Sequence, residues 1–172
     1  TFVQPGAGEW GRFDYTRSGN PTRAAFETTI ADLEAGAGGL AFSSGMAAIH
    51  AVTQLLHSGD HLLAGADIYG GTYRLLHRIT RRAGIEVSLV DTTDLVAVAA
   101  AFRPNTKLLW IETPGNPLLS ITDIGHCAQL AHARGALLGV DSTFATPALT
   151  RPLEHGADIV MHSATKYIGG HS

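Results

Sequence analysis

The chain carries a single cysteine, Cys127, in 172 residues. A disulfide framework needs pairs and a thiolate metal site needs several sulfurs, so neither can be built within one chain, and a reducing, cytoplasmic setting fits. An excess of one charge is also missing. Twelve Lys and Arg stand against fifteen Asp and Glu, and no basic block is long enough to grip a nucleic acid. No apolar run reaches the ~20 residues that a membrane helix requires. Thr1 to Gly11 lacks the basic opening and apolar centre of a signal peptide, and a first residue other than methionine suggests a trimmed start. Nine histidines invite a metal. His57 and His61, however, straddle the turn Ser58-Gly59-Asp60, and His126 and His132 are off an i,i+4 register, so no metal site is expected.

What is present is an ordinary globular composition, 45% apolar and 16% charged, enough for one sizeable core and one α/β domain. Residues 1–20 have no helical or strand period, and their glycines and Pro5 mark an extended arm. Phe2, Trp10, Phe13 and Tyr15 are aromatics that a free tail seldom carries, so the arm is expected to pack on something, a second subunit included. Arg12 and Arg17 make it locally basic. Asn20-Pro21 supplies a cap and a first-turn proline for a helix whose face is Phe26, Ile30 and Leu33, until Gly36 stops it.

From there short apolar runs alternate with helical segments, the α/β pattern with a mainly parallel sheet in three layers. The runs predict strands over Gly39–Ser43, His61–Gly65, Ile85–Asp91, Lys107–Glu112, Ala136–Asp141 and Ala157–Ser163. Helices are predicted over Met46–His57, Thr72–Ala83, Asp94–Phe102, Asp123–Arg134 and a short Arg151–His155. Parallel strands joined this way present functional groups beyond their C-terminal ends. Those ends carry Ser43, Ser44 and Gly45; Asp67 and Tyr69; Asp91; Glu112 and Asn116; Asp141 and Thr143; and Ser163, Thr165 and Lys166.

The last of these groups follows a buried strand and combines hydroxyls with a lysine, whose amine can attack a carbonyl to form a Schiff base. The N–H groups of Gly45 and Met46, opening a helix, can face a phosphate with the helix dipole behind them, and Ser163 and Thr165 add hydroxyl donors. Asp141, ending a strand, can keep a ring nitrogen protonated, and Tyr69 can cover a ring face. Together the loops describe a pocket for a phosphorylated aromatic aldehyde. Two other readings use the same stretch of chain. Gly36 to Ala41 matches G-x-G-x-x-A, but it lies after a helix and before a strand, the reverse of a dinucleotide fingerprint. Ala41-Phe42-Ser43-Ser44-Gly45 is close to a nucleophile elbow, and a serine acyl hydrolase using Ser43, with Asp141 and His162 or His171, is the rival enzyme. A non-catalytic dimerisation module is the rival from outside enzymology. Cys127 sits in a helical apolar pattern and reads as a small core residue.

The segments FDYTRSGNPTR (Phe13–Arg23), SSGMAAI (Ser43–Ile49), DIYGGTYRL (Asp67–Leu75), ETPGNPLL (Glu112–Leu119), DSTFATP (Asp141–Pro147) and ADIVMHSATKYIGGHS (Ala157–Ser172) occur in one order. Their order and wording resemble the Cys/Met-metabolism family of pyridoxal-phosphate enzymes, the cystathionine synthases and lyases. The resemblance runs over nearly the whole chain. It implies the fold-type I, aspartate-aminotransferase-like large domain, with residues 1–20 as an arm contacting a neighbouring subunit and 21–172 as the N-terminal part of the cofactor domain. It implies pyridoxal 5'-phosphate joined to Lys166, with Lys166 and Tyr69 moving protons, Asp141 on the ring nitrogen and Asn116 near the ring hydroxyl. Ser44, Gly45, Met46, Thr143, Ser163 and Thr165 complete the site within one subunit. Tyr15 and Arg17 reach the phosphate of the neighbour, which makes a dimer, and by extension a tetramer, the working form.

The activity implied is formation or cleavage of the C–S bond of cystathionine, of the γ-synthase or γ-lyase type, with β-lyase or homoserine sulfhydrylase chemistry as the alternatives. Ser142 and Thr113 stand where the family commonly has asparagine and serine. Gly71 stands where methionine-degrading members often have cysteine, which leans against that activity. Family members continue well past Lys166 into a C-terminal domain with the arginine that grips the substrate carboxylate, so this chain is expected to be either a fragment or one part of a protein whose remaining polypeptide lies elsewhere.

Overall fold

A computed structural model describes residues 2–171, and the chain divides into two units between Ala41 and Phe42. In the first unit the described residues of the arm, 2–20, form no helix or strand, and α1 then runs over Pro21–Leu33. Asn20 Oδ1 accepts the Thr22 and Arg23 N–H groups at 2.9 and 3.2 Å, which is why the helix begins where the sequence predicts. The stop differs in detail. Ala35, not Gly36, takes the left-handed conformation (φ 54°), and the Gly36 N–H closes the helix on the Ala31 carbonyl.

The predicted strand at Gly39–Ser43 does not form. The Ala41 N–H donates to Glu27 Oε1 at 2.9 Å instead of to a neighbouring strand. Gly39 lies so close to α1 that an added Cβ would sit 2.3 Å from the Glu27 carbonyl oxygen. With its central donor taken by a helix side chain and Gly39 pressed against α1, the run joins no ladder.

The second unit alternates helix and strand: α2 (Gly45–Thr53), β1 (His61–Gly65), α3 (Gly70–Arg78), β2 (Glu86–Val90), α4 (Leu95–Ala101), β3 (Thr106–Glu112), α5 (Ile124–His132), β4 (Leu137–Asp141), α6 (Thr146–Leu149) and β5 (Ile159–Met161). Ser44, Asp94 and Asp123 cap α2, α4 and α5 through side-chain oxygens. The helix expected over Thr72–Ala83 is two pieces, α3 and a 3₁₀ turn at Thr80–Ala83, and the segment before β5 is a 3₁₀ turn over Pro152–His155. The single turn α6 was too short to carry a period in the sequence.

The five strands form one all-parallel sheet in the order β2-β1-β3-β4-β5. Both faces are buried, and successive residues alternate between them. Leu63, Leu109, Ile111, Leu138 and Val140 join Val98 of α4 and Cys127, Ala128 and Ala131 of α5. Leu62, Ala64, Val87, Leu108, Trp110 and Met161 join Ile49 of α2 and Leu75 and Leu76 of α3. This is the α/β/α layering the sequence predicts. Within it Gly139 stands beside Trp110 in register, and a Cβ there would lie 2.6 Å from Trp110 Cε3. Glycine at that position makes room for the indole.

The connectivity opens a crevice. β1 and β3 are neighbours, but after β1 the chain crosses α3 to β2 on one side, while after β3 it crosses α5 to β4 on the other. Loops leaving the C-terminal ends of β1 and β3 therefore diverge, and this switch point is where parallel α/β sheets receive ligands.

Candidate active site

Asp141 is the last residue of β4 and 5% exposed. The Thr143 N–H and hydroxyl both donate to its Oδ1, at 3.0 and 2.6 Å, leaving Oδ2 for another donor. The Thr143 hydroxyl also accepts the Ser163 N–H at 2.9 Å. One hydroxyl thus ties the carboxylate at the end of β4 to the loop that leaves β5. Burial is the main influence on Asp141 and holds its carboxyl above the ordinary range, against the opposing Thr143 hydrogen bonds and the nearby His162. Among the described residues no Lys or Arg forms an ion pair with it.

The loop after β5 makes one tight turn. The Lys166 N–H donates to the Ser163 carbonyl at 3.1 Å, and Gly169 and Gly170 return N–H groups to Ala164. Thr165 and Lys166 are exposed on it. Gly45, the first residue of α2, backs directly onto this turn: a Cβ at Gly45 would lie 2.9 Å from Ser163 Cβ. Only glycine allows that approach. The N–H groups at the start of α2 have no partner within the helix, so those of Gly45 and Met46 are free to face an anion beside Ser163. Ser44 serves partly as cap, its Oγ accepting the Ala47 N–H at 3.1 Å, and retains its own O–H as a donor.

Tyr69 begins α3 and is 45% exposed. Its ring lies over Gly71: a Cβ there would meet Tyr69 Cε1 at 2.3 Å and Met46 Sδ at 2.9 Å. Any side chain at position 71 has to displace the ring. Backbone placement of Tyr69 comes from Glu112, the last residue of β3, whose Oε2 accepts the Tyr69 N–H at 2.6 Å. Glu112 and Asp141 are register partners on β3 and β4. Burial first, then the neighbouring Asp141, pushes the Glu112 carboxyl up to about 8. Asn116 lies on the loop after β3, its N–H pointing to the Asp67 carbonyl at 3.4 Å.

The second unit therefore brings together Gly45, Ser163, Thr143 and Asp141 on one side, and Met46, Tyr69 and Asn116 on the other, with Lys166 on the turn that starts at Ser163. Tyr15 and Arg17 belong to the first unit, where the Arg17 guanidinium stacks 5.1 Å from the Tyr15 ring centroid. The hydrolase reading loses its support here. Ser43 sits in a bend with no strand before it, and the oxygen Asp141 has engaged is bonded to Thr143. Cys127 is fully buried in the core, and burial lifts its thiol to about 11, consistent with a packing role. Sequence reasoning gave no role to Glu112 or Asp67. Their position at or beyond a strand end was visible, but their hydrogen-bond partners lie 43 to 53 residues away.

No helix among the described residues is long and apolar enough to cross a membrane. The sequence profile described as Cys/Met metabolism PLP-dependent enzyme matches residues 1–172. A chloroplastic cystathionine beta-lyase from Mimosa pudica is 56% identical over all 172 residues, which cover 38% of that protein. A cystathionine gamma-lyase from Bacillus subtilis (strain 168) is 54% identical over the same span, 45% of its length. The crystal structure of cystathionine gamma-lyase from Lactobacillus plantarum complexed with L-serine superposes with a TM-score of 0.93 at 51% identity, covering all of this chain and 45% of that one. The chain thus spans less than half the length of these relatives.

Proposed function

The chain belongs to the Cys/Met metabolism PLP-dependent enzyme family, and from that membership we propose that the protein makes or cleaves the C–S bond of cystathionine. The favoured chemistry is elimination or replacement at the γ carbon. The observation that carries the reading is Asp141: a buried carboxylate with one oxygen held by Thr143 and, among the described residues, no donor on the other and no Lys or Arg ion pair. Such a group calls for a cationic donor from a ligand, and a protonated pyridine nitrogen supplies one. The cradle of Gly45, Met46 and Ser163, closed to any Cβ at Gly45, fits the phosphate of the same molecule. The residues present therefore fit pyridoxal 5'-phosphate.

When bound, that cofactor supplies an aldehyde to an amine and a ring that withdraws electrons from the substrate α carbon. The chain's own groups divide the remaining work. Asp141 Oδ2 keeps the ring nitrogen protonated. Gly45, Met46, Ser163 and Thr165 hold phosphate oxygens through N–H and hydroxyl donors. Asn116 orients the ring edge, and Tyr69 covers a face. Lys166 would be the residue that carries the cofactor, and its Nζ would be the base that takes the substrate α proton. Tyr69 Oη would pass a proton toward the departing group. The reading gives Tyr15 and Arg17 to the phosphate of a second copy, so that sites complete themselves only in a dimer or a tetramer of such dimers.

Borohydride reduction of the cofactor-loaded protein followed by peptide mass spectrometry should place the adduct on Lys166, and Lys166→Ala should abolish both the adduct and turnover. Turnover retained by Lys166→Ala would sink the assignment. The alternative within the family is β-lyase or homoserine sulfhydrylase chemistry, supported by the identity to the Mimosa pudica protein. Products separate them. Hydrolytic cleavage of cystathionine to cysteine, a four-carbon keto acid and ammonia marks the γ route, homocysteine, pyruvate and ammonia mark the β route, and homocysteine formed from an activated homoserine and sulfide, with the activating acid released, marks the sulfhydrylase.

A further inference from the structure

Two carboxylates on either side of the crevice between β1 and β3 hold each other's loop. Glu112, ending β3, takes the Tyr69 N–H from the loop after β1. Asp67, in the loop after β1, takes three donors from the loop after β3. Its Oδ1 accepts the Leu118 N–H at 3.2 Å, and its Oδ2 accepts the Ser120 N–H at 3.3 Å and the Ser120 hydroxyl at 2.6 Å. The Asp67 carbonyl receives the Asn116 N–H as well. Gly115 completes the fit, since a Cβ there would lie 2.2 Å from Asp67 Oδ2. The segment so gripped includes Leu119 at φ 58°, a conformation a leucine holds only when its surroundings impose it.

We propose that Glu112 and Asp67 are positioning residues that lock Tyr69 and Asn116 into one frame across the crevice, so that the cofactor ring meets both at a fixed spacing. The inference rests on the functional reading above. Loops that diverge from neighbouring strands have no ladder between them, and these bonds replace it. The electrostatics agree with a division of labour. Burial and Asp141 keep Glu112 protonated at neutral pH, so it accepts the Tyr69 N–H as a neutral acid and leaves Asp141 as the anion for the ring. Asp67 behaves oppositely. Burial acts to raise it, but the Ser120 and Leu118 hydrogen bonds outweigh that and hold it below the ordinary range, as an anion suited to three donors.

The test is a titration of the full-length protein with pyridoxal 5'-phosphate, read by visible circular dichroism of the bound cofactor, with melting of the cofactor-free protein as the folding control. Glu112→Ala should weaken the cofactor about tenfold, the usual consequence of leaving an ordered donor without its acceptor. Glu112→Gln keeps an acceptor oxygen and should stay within about twofold of wild type, which also covers the case in which the alanine variant fails to fold. Asp67→Ala should weaken binding by a factor similar to Glu112→Ala. Because Glu112 acts through Tyr69, Glu112→Ala combined with Tyr69→Ala should bind no worse than Tyr69→Ala alone. Losses that multiply in the double variant, or a glutamine as harmful as alanine, overturn the proposal for Glu112. Wild-type affinity in Asp67→Ala overturns it for Asp67. Wild-type protein that takes up no cofactor brings down the functional reading and this inference together, a result distinct from the others.

Discussion

Raising the pH should cost this protein stability through Glu112, and replacing that residue by glutamine should remove the loss. The folded carboxyl titrates at about 8 and the ordinary one at 4.5. Between those values the folded state holds a proton that the unfolded chain has released, so stability falls as pH rises. The contribution is whole below 4.5 and gone above about 8. The span is 8 − 4.5, about 3.5 pH units, and at ~1.4 kcal/mol each it sets an upper limit of roughly 5 kcal/mol. Water entering beside the ionised group lowers the realised figure to about 2–4 kcal/mol. Glutamine cannot titrate, yet its amide oxygen still accepts the Tyr69 N–H. Urea unfolding of cofactor-free wild type and Glu112→Gln at pH 5.5, 7.0 and 8.5 reads the difference directly. Asp141 is also raised by burial, but it is present in both proteins and to first order drops out of the comparison. The glutamine variant should gain on wild type steadily with pH. Two stability curves that stay parallel across this range would refute the reasoning.

Two further substitutions test the fold and the site separately. Gly139→Ala places a Cβ 2.6 Å from the ring of Trp110, a residue 1% exposed. The overpacking should lower unfolding stability by about 1–3 kcal/mol, and an unchanged urea midpoint would show that the sheet accommodates it. Thr143→Val deletes the hydroxyl that links Asp141 to the Ser163 N–H. It should weaken pyridoxal 5'-phosphate binding about tenfold in a fluorescence titration, and wild-type affinity would show that the link is idle.

The alternation of apolar runs and helices was readable because the inner strands β1, β3 and β4 are largely buried and α2, α4 and α5 have local side-chain caps. His61–Gly65 is exact to the residue, Asn20 caps α1 as predicted, and Asp94 and Asp123, the first residues of two predicted helices, are the caps of α4 and α5. The failure at Gly39–Ser43 has a nonlocal cause. Its apolar pattern is that of a strand, but Glu27, twelve residues before Gly39, takes the Ala41 N–H. The site was legible to the same degree. Gly45, Asp141 and Ser163 announce themselves by residue type at the end of a strand or the start of a helix. Glu112 and Asp67 were seen at or beyond their strand ends and left without a task, because a carboxylate's task depends on which donors reach it, and those come from the opposite loop.

Topology explains why the opposite loop has to supply them. Had β1 and β3 been consecutive in the chain, their following helices would lie on one face and pack on each other. Here α3 packs with the core containing Leu62 and Trp110, and α5 with the core containing Leu63 and Leu109. The chain after β1 and the chain after β3 leave in opposite directions, so a ligand gains a crevice but the crevice loses the packing that would define its width. Polar bonds across the gap are then the remaining means of defining it, and they must survive in a site that also needs an anion. Placing a neutral acid at Glu112, one strand from the buried Asp141, satisfies both demands: the Tyr69 backbone is held, and no second negative charge stands beside Asp141. A permanent anion at 112 would hold Tyr69 equally well and spoil the field around Asp141. The burial that raises Glu112 is therefore part of how the crevice is built.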